Sequence, residues 1–214
     1  SPQACSQTGG RTPDPLTAGR PGCFTSAQPV MNSDRLKWNE KYRRQDYPAE
    51  AAAVVKRFCR LAPGRRALDI AAGNGRNALF LAEQGFRVDA VDISDAALAM
   101  CAGRHPAVRI LCADLDLFDI PAARYALIVD VLYLNRRLFP QICDGLAPGG
   151  ILIFETLVAA PEAAAEEGHC RDYLLRENEL LHAFLSLKVI YYREAGEPGH
   201  GVERTMAALV AEKR

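Results

Sequence analysis

No apolar run in this 214-residue chain approaches the length needed to cross a bilayer. No positively charged start is followed by an apolar block, so no secretory signal is legible. Charge of one sign is also missing, since Lys plus Arg and Asp plus Glu both number 26. A neutral chain lacks the long-range field that draws in nucleic acid or anionic membrane, and neither is expected as a partner. There is no CxxC pair among Cys5, Cys23, Cys59, Cys101, Cys112, Cys143 and Cys170. That pattern points to reduced thiols in a cytoplasmic protein, against a disulfide framework or a zinc site. The histidines, His105, His169, His182 and His200, are dispersed, so no metal site is expected.

What is present divides into two parts. Residues 1–33 are rich in Pro, Gly, Ser and Thr without apolar periodicity. They read as a leader, either a cloning remnant or a translation start set too early, with a docking arm as the alternative, and residues 34–214 read as the domain. Within the domain, helical and strand patterns alternate. Helices are expected over 33–44, 49–61 with Pro48 at its start, 77–84, 94–103, 137–146 and 177–185. Strands are expected over 67–71, 87–92, 108–112, 125–131, 151–156, 188–194 and 204–212. Strand–helix alternation implies parallel pairing with right-handed crossovers. The final two strands, joined through residues 196–201, are expected to pair antiparallel. The expected fold is α/β: a three-layer, Rossmann-like, doubly wound sheet of seven strands, mostly parallel, with a reversed C-terminal strand.

In such sheets ligands sit beyond the carboxyl ends of the strands, where strand order reverses. The first of these loops reads Leu68-Asp69-Ile70-Ala71-Ala72-Gly73-Asn74-Gly75-Arg76-Asn77-Ala78. Gly73, Gly75 and Ala78 satisfy GxGxxG/A, a weak signal that equally fits a dinucleotide. A helix start there offers free N–H groups to pyrophosphate or to a carboxylate. Three acids narrow the choice by position, although Asp92 by itself fits both readings. Asp69 lies inside the strand end and suits a ligand carrying ammonium and sulfonium. Asp92 ends the second strand, where ribose hydroxyls would be held. Asp114, after Ala113 and before Leu115, lies where an adenine amino group would be met. Each has a bland role as a helix cap, but all three fall on one sheet edge.

Residues 36–214 resemble class I S-adenosylmethionine-dependent methyltransferases. The run from Leu68 to Asn77 is similar to the GxGRN loop of the tellurite-resistance-type branch, and Leu146-Ala147-Pro148-Gly149-Gly150 to the turn before strand five. Ala71 departs from the pattern, as many members have Gly there. The resemblance implies S-adenosylmethionine as cofactor, with S-adenosylhomocysteine as product. It places Asp69, Gly73 and Gly75 at the methionine end, Asp92 at the ribose, and Ile93 and Asp114 at the adenine. Ala71, Asn74, Arg76, Asn77, Ser94, Ala113, Leu115 and Asp130 complete the expected cofactor-binding set.

Methyl transfer needs alignment and water exclusion more than acid–base groups, so the lack of an obvious catalytic His or Cys excludes nothing. The acceptor is expected beyond the fourth strand, where Tyr133 and Asn135 are the candidate catalytic pair. That stretch is not the Asn/Asp-Pro-Pro-Tyr signature used for planar exocyclic amines. Trp38, Tyr42, Arg43, Tyr133 and Arg136 are the candidate substrate contacts, the first three on a leading helix that either acts as a lid or packs Trp38 on the sheet, and Arg136 equally fits an exposed helix start. The expected acceptor is a small molecule such as a chalcogen oxyanion, thiol or carboxylate, met by a monomer or homodimer. A non-catalytic S-adenosylmethionine-binding protein and an NAD(P)-dependent oxidoreductase remain alternatives.

Overall fold

The uninterrupted apolar stretch at residues 125–129 is buried on both faces, which fits a central strand of a parallel sheet. In the computed structural model, which describes residues 29–159, 173–196 and 205–214, that segment opens β4 (Tyr125–Val131). The other strands are β1 (Arg66–Ile70), β2 (Arg87–Asp92), β3 (Val108–Cys112), β5 (Leu146–Leu157), β6 (Lys188–Gly196) and β7 (Thr205–Glu212). The helices are α1 (Pro29–Arg44), α2 (Ala53–Phe58), α3 (Arg76–Glu83), α4 (Asp95–Ala99), α5 (Leu138–Gly145) and α6 (Glu179–Ala183). Strand order is β3-β2-β1-β4-β5-β7-β6. The pairs from β3 through to β5 are parallel, and β7 runs antiparallel to both β5 and β6. This is the expected seven-stranded α/β sheet with one reversed strand.

Alternate residues of each strand enter opposite cores, as a period of two requires. Leu68, Ile128, Leu152 and Phe154 pack with Leu138 and Ile142 of α5 and with Leu180 and Phe184. Ala67, Leu127, Val129 and Ile153 pack on the other face with Val55 of α2 and with Ala78 and Leu81 of α3. Both layers of helices hold the carboxyl ends of β1 and β4 side by side, which is where strand order reverses.

Several boundaries differ from the sequence expectation. The first helix starts at Pro29, so it runs through the boundary expected at 33/34. Helix α2 starts at Ala53, and Pro48 lies outside it. The reason is tertiary: Asn77 Oδ1 accepts the Ala52 N–H at 2.9 Å and Asn74 Nδ2 donates to Pro48 O at 3.0 Å, holding this segment extended. Helix α4 ends at Ala99 instead of reaching residue 103, although Ser94 caps its start by accepting the Ala97 N–H at 3.1 Å. The Ala147-Pro148-Gly149-Gly150 stretch, expected as a turn, is the first part of β5. There Leu146 pairs with Tyr125, the register then shifts, and Gly149 takes φ 73. The expected link at 196–201, apart from Gly196, and most of the expected leader lie outside the described residues.

Candidate active site

After Ile70 the chain turns sharply, with Ala71 at φ 50, Gly73 at φ 56 and Gly75 at φ 76. Glycine occupies such left-handed positions freely, whereas alanine is strained there by roughly 1–2 kcal/mol. Ala71 therefore places a backbone constraint on this loop. The two glycines serve different ends. A Cβ on Gly75 would lie 2.6 Å from Cys101 Sγ, so that glycine permits α3 to pack closely. A Cβ on Gly73 would collide with the Tyr42 hydroxyl, and the Gly73 N–H donates to Asp92 Oδ2 at 2.8 Å.

Asp69 and Asp130, both 1% exposed, end up near one another at the ends of β1 and β4. Each has a buried oxygen without a hydrogen-bond partner, Asp69 Oδ2 and Asp130 Oδ1. Burial pushes the Asp69 carboxyl up to about 7; the Ala78 N–H and Arg76 oppose this, and Asp92 adds to it. Burial likewise raises Asp130 well above the usual carboxylate range, with Asp69 adding to the effect. Buried acids at a strand switch point, each with one unpartnered oxygen, form a socket for positive charge. The donor expected from the sequence carries an ammonium and a sulfonium, so the residues present fit it.

The neighbouring strand ends extend the same edge. Asp92 accepts the N–H groups of Gly73 and Ser94, each at 2.8 Å. Burial raises its carboxyl, and those two bonds oppose the rise. Ala113 N–H reaches Asp92 O at 2.9 Å, which brings Ile93, Ala113, Asp114 and Leu115 beside the loop. Asp114 Oδ1 also accepts the Asp116 N–H at 2.9 Å, so it closes its own turn.

Three expected donor contacts have their side chains directed elsewhere. Asn74, Arg76 and Asn77 bind Pro48 O, Glu50 O and the Ala52 N–H, so they fasten the segment before α2. Arg136 is likewise engaged: its Nη2 donates to Glu179 Oε2 at 2.9 Å and to Leu174 O at 3.0 Å. That ties the end of β4 to α6 and leaves the guanidinium facing a carboxylate within the fold. Tyr133 and Asn135 do meet. Asn135 Nδ2 donates to Asp116 Oδ1 at 2.8 Å and to Tyr133 Oη at 3.3 Å. Burial raises the Tyr133 phenol above its ordinary value despite that bond, and Asp116, Asp130 and Asp114 add to it. Beside it, Leu132 has φ 63 and is 56% exposed, a strained apolar residue at the rim.

Helix α1 lies across this edge. No local pattern marks its anchor, Asn39. Buried on α1, Asn39 donates to Asp95 Oδ1 at 2.7 Å and accepts from Ser94 Oγ at 2.7 Å and Ala96 N at 3.2 Å. Tyr42, one turn on, stacks on Tyr47 at 4.2 Å and covers Gly73. Trp38 is 38% exposed, with Lys41 4.4 Å above its ring, and Arg43 is exposed. Among the described residues no three His, Cys, Asp or Glu side chains cluster as a metal site, and no helix is long and apolar enough to cross a membrane.

Residues 67–150 match the family described as Methyltransferase domain. That span covers β1 to the start of β5, and so holds the glycine loop and all the edge acids. The malonyl-[acyl-carrier protein] O-methyltransferase of Enterobacter lignolyticus is 29% identical over 65% of this chain and 58% of its own length. The 23S rRNA (uracil(1939)-C(5))-methyltransferase RlmD of Halomonas elongata is 34% identical over 51% of this chain and 22% of its own. The chain thus spans less than two thirds of either curated relative. Among solved structures, an S-adenosylmethionine-dependent methyltransferase from Mesorhizobium loti superposes with a TM-score of 0.62 at 18% identity, covering 75% of this chain and 96% of that one. The fold is that of this class of methyltransferases.

Proposed function

We propose that the chain transfers a methyl group from S-adenosylmethionine to a small-molecule acceptor. The observation that carries this reading is the pair of buried acids, Asp69 and Asp130, each with an unpartnered oxygen beside the left-handed glycine loop. Asp69 is assigned to the ammonium end, with Ala71, Gly73 and Gly75 offering backbone to the methionine moiety. Asp92 retains lone pairs for ribose hydroxyls while holding Gly73 and Ser94. Ile93, Ala113 and Leu115 flank the adenine, and Asp114 accepts from its amino group. When bound, S-adenosylmethionine supplies an electrophilic methyl carbon, so the chain's own task is to align the acceptor and exclude water.

Tyr133 holds its proton at neutral pH and is assigned as a hydrogen-bond donor that orients the acceptor, with Asn135 fixing its hydroxyl. The GxGRN loop supports a tellurite-resistance-type branch, and a thiol, carboxylate or chalcogen oxyanion as acceptor. Neutral net charge favours a small molecule over RNA as the substrate. The described thiols, Cys59, Cys101, Cys112 and Cys143, are all free, as befits a reducing compartment.

Calorimetry with S-adenosylhomocysteine and with NADH tests the donor. Binding of the first, lost in Asp69→Asn, is expected; binding of NADH alone would overturn the reading. Formation of S-adenosylhomocysteine from the donor with a metabolite panel then tests turnover.

A further inference from the structure

A cleft of about 190 Å3 lies between α2 and the β5–β7–β6 part of the sheet. Its lining includes Val54, Arg57, Phe58, Glu155, Tyr191 and Arg193. The cleft adjoins the methyl-transfer edge. Glu155 is the register partner of Val131, and its carbonyl accepts the Leu132 N–H at 2.8 Å. Its far wall is built from the β6 face that carries Tyr191, Arg193 and Ala195, set against Met206 and Ala208 of β7.

The charge in this cleft is unbalanced. The Arg57 guanidinium lies 4.7 Å from the Phe58 ring centre and 5.2 Å from that of Tyr191, and the two rings are 5.0 Å apart. Neither Arg57 nor Arg193 has a carboxylate within ion-pair distance among the described residues. Arg35, Arg136 and Arg137, also near the catalytic edge, are each matched to one. Packing beside the two rings confines Arg57, so less rotamer freedom is lost when it binds a ligand. Both arginines reach solvent, so a ligand can enter. The volume is below the range that encloses a whole drug-sized ligand, which makes this a subsite.

We infer that this cleft is the anion subsite of the acceptor: Arg57 and Arg193 hold a carboxylate or phosphate head group, against the Phe58 and Tyr191 rings, while the methylated end lies at the β4 edge. The inference rests on the methyltransferase reading for its function, but the binding itself does not require it. Glu155, the acid of the lining, stands on the side of the methyl-transfer edge.

Phenyl phosphate, benzoate and benzyl alcohol are titrated into the full chain by calorimetry, with S-adenosylhomocysteine as a separate titration. The two anions are expected to bind and benzyl alcohol is not. The tighter anion identifies the head group. Arg57→Gln and Arg193→Gln each weaken the anion by about tenfold or more, as loss of a charge-assisted hydrogen bond requires, and leave S-adenosylhomocysteine binding intact. Arg57→Lys keeps the charge but loses the fork, and falls between. Equal binding of the alcohol, or unchanged anion affinity in both Gln variants, would overturn the subsite. Failure of the wild-type chain to bind S-adenosylhomocysteine while it still binds the anions would instead overturn the donor reading.

Discussion

The Tyr42 hydroxyl sits where a Cβ on Gly73 would have to go, so a residue of the leading helix closes directly over the glycine loop. The contact joins two segments about thirty residues apart in sequence, and it makes Gly73 doubly restricted, by its φ of 56 and by Tyr42.

Gly73→Ala is therefore expected to destabilise the chain by about 1–3 kcal/mol in chemical denaturation, with loss of S-adenosylhomocysteine binding. Adding Tyr42→Ala restores the part due to collision and leaves the part due to backbone strain. A double-mutant cycle with no coupling would show that the two residues do not meet in solution.

Asp69 provides a pH signature. Its carboxyl is raised to about 7 in the folded chain, above the unfolded value near 4. The folded state holds this proton more tightly, so the group's contribution to stability is full below about pH 4 and is lost as pH rises through 7. Asp130 acts in the same direction. Asp69→Asn is expected to flatten this decline in urea midpoints measured from pH 4 to 8. A ligand ammonium favours the ionised form, so S-adenosylhomocysteine affinity should rise over the same window, with proton release detectable by calorimetry in two buffers.

Arg136→Ala is expected to cost about 1–2 kcal/mol, because it removes a partly buried charge-assisted pair with Glu179. Arg136 and the Arg176 N–H both favour ionised Glu179, whose carboxyl is held below its ordinary value. That stability is present at neutral pH and is lost as pH falls through the folded value, so the variant should differ least from wild type in acid. A change confined to acceptor KM, with stability intact, would return Arg136 to the substrate.

Asn39→Ala should release α1 from α4 at a cost of about 1–3 kcal/mol, since it leaves buried partners unpaired. Trp38 emission is the local readout. Donor titration should shift that emission in the wild-type chain and not in the variant. Unchanged emission in both would separate α1 from the donor site.

Strands were legible wherever apolar runs carried their own boundaries, as at residues 67–70 and 125–131. The edge acids were legible because each ends such a strand. Asn39 was not, since its partners lie 55 to 57 residues away and nothing local marks it. The GxGRN loop was visible as a motif, yet its polar side chains turn back onto residues 48–52, and those same bonds delay the start of α2. Residues 147–150 were expected as a turn from the family resemblance; pairing of Leu146 with Tyr125 draws them into the sheet.

Asp92 holds Gly73 with one oxygen and Ser94 with the other, and Ser94 in turn reaches Asn39. Three distant stretches of chain are thereby geared through a single carboxylate. A change at that one side chain is therefore expected to unseat the glycine turn and the start of α4 together, and through Ser94 the hold on the leading helix.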